Sequence, residues 1–169
     1  MSYSLEDLAL DIKNTLETHG IEEGSSTICY YVKKALMDQN FIPTHLPDRK
    51  EGELEREVLY EDKDYGFCIC GHVYPKMAEG HPHDHGPSWA IYGQATGETE
   101  MTDWEVIENQ SSDEIIYVKP KQTYTMKAGD VHFYNVGQVH SPVRNDPVRL
   151  LRIEGVNLDN VKRSNIKTI

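Results

Sequence analysis

The spacing of apolar positions changes period once along the chain. Leu5, Leu8, Ile12 and Leu16 recur at helical intervals, behind Ser4 and Asp7 at capping-box spacing with Asp in place of the usual Glu. Gly20 supplies a stop. A second helical stripe, Ile28, Tyr31, Val32, Ala35 and Leu36, is predicted to begin after the polar run at 24–26. "FIPTHLPDRKEGELE" reads as a loop, with two prolines and a charge run. Beyond it the period is two. "EVLYED", "YGFCICGHV", "SWAIYGQA", "ETEMTDWEVI", "EIIYV", "KQTYTMK", "DVHFYNV" and "PVRLLRIEG" are short runs rich in β-branched and aromatic residues, most of them set apart by Gly, Pro, Asn or Asp. About eight to ten short strands without intervening helices predict an all-β sandwich, jelly roll or barrel. The expected organisation is one domain over 1–169, with a helical segment at 1–45 and a β-barrel at 46–169.

Composition narrows the partners. The net charge of −11 would repel phosphate backbones, which argues against nucleic acid. The acidity is uneven: residues 1–62 carry 14 acidic and 6 basic side chains, and residues 63–169 carry 14 and 11. No apolar run approaches the roughly 18 residues of a membrane span, and the acidic, amphipathic start lacks the basic and apolar blocks of a signal peptide. Cytoplasmic residence and a small-molecule partner are the resulting expectations. Three cysteines, Cys29, Cys68 and Cys70, do not make a disulfide framework in such a chain. Cys68 and Cys70 alternate like small buried apolar residues.

The eight histidines are not scattered: His81, His83 and His85 occupy alternate positions. Side chains two apart on an extended strand share a face. Composition alone predicts about 0.4 His-x-His pairs in a chain of this kind, and about 0.02 such triples, so a ligand elsewhere is needed before a metal is invoked. "KAGDVHFYNVGQVHSPVRN" supplies one. Gly129-Asp130 marks a turn into a strand, and Gly137 precedes His140 by three residues on a second histidine-bearing strand. The residues alone leave His81 and His83 as alternatives for one position. His132 reads as a structural or rim histidine.

"HPHDHG" and "GDVHFYNVGQVH" resemble the two motifs of the cupin superfamily, with Asn135 where proline is common. Within it the chain is most similar to the cysteine dioxygenase group, including the 3-mercaptopropionate dioxygenases. The likeness covers roughly residues 55–157, through "PHDHG", "WAIYG", "GETE" and "HSPVRNDP". The resemblance implies a cupin double-stranded β-helix and an iron(II) site on His83, His85 and His140. It implies a mononuclear non-haem dioxygenase that uses O2 to oxidise a small thiol acid or a related anion.

The departures are specific. No acid occurs between His85 and Glu98, which favours three histidines over three histidines plus a carboxylate. Ala90 stands where the animal enzymes carry a cysteine cross-linked to tyrosine. The family's Ser-His-Tyr relay falls on Leu150, Arg152 and Glu154. Arg152 and Glu154 share a strand face, and turned inward they would be candidate catalytic groups, because a buried pair is costly unless hydrogen-bonded. Arg56 aligns, one residue out of register, with the arginine that holds the substrate carboxylate, and Tyr92 and Trp89 are candidate pocket walls. Imidazole equally suits Zn, Ni and Cu, so ligand type alone does not fix the metal. A non-oxidative cupin holding Zn, Ni or Mn, as a binding or sensing module, is the second class of function. A monomer or homodimer is expected.

Overall fold

A computed structural model describes residues 2–50, 52–107 and 115–169. Glu114, at the head of the predicted "EIIYV" strand, and Glu51, in the predicted loop, lie outside the described residues.

Helix α1 spans Leu5–Met37 and is broken at Gly20, whose φ of 65° and ψ of −176° end the first arm. The expected cap is present: Asp7 N–H donates to Ser4 Oγ (3.1 Å) and Ser4 N–H donates to Asp7 Oδ2 (2.9 Å). The second arm starts directly after Gly20, not after 24–26 as predicted. Gly24 is part of it and allows the arms to touch: a Cβ there would lie 2.8 Å from Thr15 Cγ2. The residue that resembled a breaker is a contact point. A second correction falls in the predicted loop, where Phe41–His45 form a short helix, α2, and Phe41 is buried.

Among the described residues, ten strands form two five-stranded sheets. In chain order they are β1 Arg56–Glu61, β2 Cys68–Tyr74, β3 Ala78–Glu79, β4 Ala90–Thr96, β5 Thr99–Ile107, β6 Ile115–Met126, β7 Val131–Tyr134, β8 Val139–Arg144, β9 Val148–Glu154 and β10 Asn165–Thr168. The sheet orders are β1-β2-β9-β4-β7 and β10-β6-β5-β8-β3. Strands β2–β9 thus alternate between the sheets, except at the β5–β6 hairpin, in the winding of an eight-stranded jelly roll. With two helical arms before it, this is the double-stranded jelly-roll architecture expected above. The segments "EIIYV" and "KQTYTMK" join into the single strand β6, with Pro120 inside it where the pairing with β5 shifts register between Asp103 and Trp104. β3 and β10 were not foreseen.

The first sheet is buried on both faces. Odd-numbered residues Ile69, Ile91, Leu151 and Ile153 meet Leu8, Ile12, Ile28, Val32 and Phe41 in one apolar cluster. Even-numbered neighbours on the same strands, Cys70, Tyr92, Arg152 and Glu154, are also buried, and period two turns them into the barrel. Burial raises the thiols of Cys68 and Cys70 to about 12, which leaves both inert at neutral pH.

Candidate metal centre

The loop between β3 and β4 brings the first two histidines inward, and its order comes from one polar anchor. Asp84 is buried and accepts from Gly86 N–H (3.1 Å), Ser164 N–H (3.2 Å) and Ser164 Oγ (2.5 Å). Burial would raise its carboxyl, but the Ser164 and Gly86 hydrogen bonds outweigh it and hold the group below the usual range. The alternate spacing of His81, His83 and His85 does not make a strand. Pro82 has no N–H to pair, and only His83 bridges to β8, exchanging two 3.0 Å backbone hydrogen bonds with His140. His81 stays exposed at the rim, and its carbonyl rather than its ring serves the site.

His83, His85 and His140 converge, with one ring nitrogen from each lying within 4.8 Å of the others. Backbone carbonyls fix two of the rings. His83 Nδ1 donates to the His81 carbonyl (2.8 Å) and His140 Nδ1 to the Gln138 carbonyl (3.3 Å). That tautomer leaves each Nε2 as a lone pair. Tyr134 stacks on His140 at 3.9 Å between ring centres and 21° between planes, which holds the third ring. Burial is the main cause that drives the imidazoles neutral: His83 falls to about 4, His85 to about 2, and His140 well below its ordinary value. The nearby Arg152 guanidinium pushes in the same direction.

Tyr92 closes the inner side. Its hydroxyl lies 3.0 Å from His85 Nε2 and 3.2 Å from His140 Nε2, and it accepts from Arg152 Nη1 at 3.1 Å. With the Nδ1 protons of His83 and His140 committed to carbonyls, each of these two rings turns an Nε2 lone pair toward the cluster, where a cation can accept it. The three-histidine group can therefore hold a metal ion, with Tyr92 beside it.

Behind Tyr92 runs a charged network. Glu154 is fully buried; its Oε1 accepts from Arg152 Nε (2.8 Å) and Nη2 (2.6 Å), and its Oε2 from Arg56 Nη2 (2.7 Å). Arg56 also donates to Asp159 (2.8 Å) and Asn157 (3.2 Å). Burial alone would raise Glu154, but Arg152 and Arg56 outweigh it and hold the carboxyl below its ordinary value. Burial likewise opposes the charge of Arg152, yet Tyr92 and Glu154 keep it firmly protonated.

A cavity of about 980 Å³ opens beside the cluster, walled in part by Arg56, His72, His83, Tyr92, Arg144 and Arg152. The predicted site residues divide accordingly. Arg56 reaches the wall, but its guanidinium is engaged by protein carboxylates. Arg152 and Tyr92 face inward. Glu154 lies behind them, out of reach of a ligand in the cavity. Trp89 is not a wall residue: it packs with the helix-facing cluster, its ring against Gly155. His132 sits between Tyr124 and Tyr134, away from the cluster. His72, Tyr74 and Arg144 went unflagged. The period-two argument that singled out Arg152 and Glu154 would have found them in "CICGHVY" and "HSPVR".

No family model matches the chain, and no curated protein matches it. Solved structures do. A double-stranded β-helix protein from Klebsiella pneumoniae is 17% identical, with 70% of this chain and 84% of that one covered and a TM-score of 0.49. A cupin superfamily protein from Desulfitobacterium hafniense is 12% identical over 65% and 84%, with a TM-score of 0.48. The DMSP lyase DddQ from Ruegeria pomeroyi is 15% identical; 65% of this chain covers 50% of that one, with a TM-score of 0.45. Likenesses of this degree concern the fold. Among the described residues, no helix is long and apolar enough to cross a membrane.

Proposed function

We propose that this chain is a mononuclear non-haem iron(II) dioxygenase with a three-histidine site, oxidising a small thiol acid. The observation that carries the reading is the cluster of three neutral imidazoles with, among the described residues, no carboxylate in it, and with His83 lining a cavity walled by arginines. His83, His85 and His140 would hold the ion. An iron(II) ion held by these neutral ligands would supply the redox chemistry for the oxidation of a thiol by dioxygen. In the overall change the thiol sulfur gives up four electrons, O2 takes them, and both oxygen atoms end on sulfur as a sulfinic acid.

The protein's own groups set the conditions. Neutral rings leave room for an anionic thiolate to balance the ion's charge. Tyr92, held by Arg152, places a hydroxyl where a proton can be given to or taken from the reacting group. Arg152 and Glu154 fall at two of the three positions where the resembling enzymes carry a Ser-His-Tyr relay, and with Arg56 they orient Tyr92 instead of moving a proton, because Arg152 stays protonated.

A second reading draws on Tyr92. Its oxygen is close enough to two ligand nitrogens to act as a fourth donor. Such a closed site suits a zinc-type ion in a non-oxidative binding module. Elemental analysis, then anaerobic addition of cysteine or 3-mercaptopropionate to the ferrous protein, separates the two. Iron, a perturbed iron spectrum and O2 uptake support the dioxygenase. Zinc with no O2 consumption supports the binding module and ends the first proposal.

A further inference from the structure

Among the described residues, the cavity wall contains one buried cation with no carboxylate partner. Four arginines reach its wall: Arg56, Arg144, Arg152 and Arg163. Arg56 and Arg152 are balanced by Glu154 and Asp159. Arg163 is exposed at the mouth, where water solvates it. Arg144 is different. It is only 5% exposed, and its Nε is buried without a hydrogen-bond partner. Among the described residues no carboxylate lies within ion-pair distance, and its guanidinium rests on the Tyr74 ring at 4.3 Å. Beside Tyr74, His72 is also buried, and its Nε2 has no partner. Glu55, at the mouth, acts on Arg144 only at longer range.

A buried guanidinium without a counterion is costly, and an isolated cation–π contact recovers only part of that cost. The arrangement makes sense when the counterion arrives with the ligand. β8 gives the direction: His140, Pro142 and Arg144 alternate onto one face, and Pro142 and Arg144 line the cavity together with His83 of the metal cluster. Four residues of strand separate them by about 13 Å of backbone, and an arginine leaning along the strand shortens that gap.

We propose that Arg144, backed by Tyr74, is the seat for the carboxylate of a short organic anion whose other end lies at the histidine cluster, in place of the alignment-favoured Arg56. The inference deepens the thiol-acid reading and rests on it for the identity of the far end, but the anion seat itself requires no metal. A guanidinium grips a carboxylate through two parallel hydrogen bonds, so one anion supplies acceptors to a group that has none. His72, kept neutral by burial and the surrounding arginines, adds no competing charge.

The test uses metal-free full-length protein and calorimetric titration with 3-mercaptopropionate, propionate and the uncharged 1-propanethiol. Both carboxylates are expected to bind wild type and the thiol alone to bind at least tenfold more weakly. R144M should lose at least tenfold in carboxylate affinity, R144K a smaller factor, and R56M should destabilise the fold before it alters the seat. If R144M fails to fold, R144K carries the test, since its charge persists while the paired hydrogen bonds do not. Equal affinity of R144K or R144M and wild type for propionate overturns the proposal, as does carboxylate binding no tighter than that of 1-propanethiol. Arg144-dependent binding in a protein that consumes no O2 with thiols sinks the oxidation reading and leaves the seat standing.

Discussion

Replacing Glu154 by glutamine tests the buried network most directly. The side chain is isosteric, so packing is unchanged and the perturbation is electrostatic. The two carboxylate oxygens take five hydrogen bonds, from Arg152 Nε and Nη2, Arg56 Nε and Nη2 and the Leu158 N–H. In E154Q one oxygen becomes an NH2 that faces donors, and the charge opposing Arg152 is gone. Breaking a buried ion pair from one side costs about 3–5 kcal/mol. For a domain of this size about 1 kcal/mol corresponds to about 2–4 °C, so the midpoint should drop by about 6–20 °C. The pH dependence carries a sign. The folded carboxyl is held below its ordinary value, so its contribution is full above the unfolded value and is lost as pH falls through the folded one. Paired urea unfolding of wild type and E154Q should give the largest difference near pH 7, closing in acid. A difference under about 1 kcal/mol at pH 7, or one that widens on acidification, would refute the assignment of Glu154 as the network's structural counterion.

Other outcomes follow from the same geometry. H83A, H85A and H140A should each lower bound-ion stoichiometry in elemental analysis, and an unchanged stoichiometry in all three would dismiss the metal centre. Metal-free protein should lose stability as pH falls below about 6.5, because His83 is held at about 4 and protonation favours the unfolded chain; H83A should flatten that slope in denaturant titrations. Y92F removes the acceptor of Arg152 and the contact to two ligand rings, so it should cost about 1–3 kcal/mol in chemical unfolding while leaving circular dichroism intact. If Y92F matched wild type in stability, the hydroxyl would not be the hinge between network and cluster.

Much of this was legible in the residues, for a physical reason. Period two identified the strands because the first sheet is sandwiched, so both its faces are constrained. The three histidines were recoverable from two Gly-flanked segments that a jelly roll brings together. What failed had equally concrete causes. Helix α2 was hidden by Pro43, which tolerates the short first turn it occupies. Alternation at His81–His85 imitates a strand, but Pro82 denies it a ladder. Trp89, just before β4, and Tyr92 within it are three residues apart and their side chains go to opposite sides, which distinguishes wall from core only once the register is known. Arg56 looked free because its carboxylate partners, Glu154 and Asp159, are about a hundred positions away in sequence. Arg144 looked ordinary because absence of a partner leaves no trace in a sequence.

Strands β4 and β9 have no idle surface. One side of each carries the apolar residues that seat the helices, and the other carries the groups that approach the ion and the ligand. A single-residue insertion in either would trade the two sets at once, turning guanidinium and phenol toward the helices and leucine toward the chamber. The slack in their pairing falls between Gln94 and Thr96, past the last residue of β4 that touches the histidines. Chain-length variation is thereby diverted to the far end of the strand, and the spacing that aims Tyr92 at its neighbours is insulated from it.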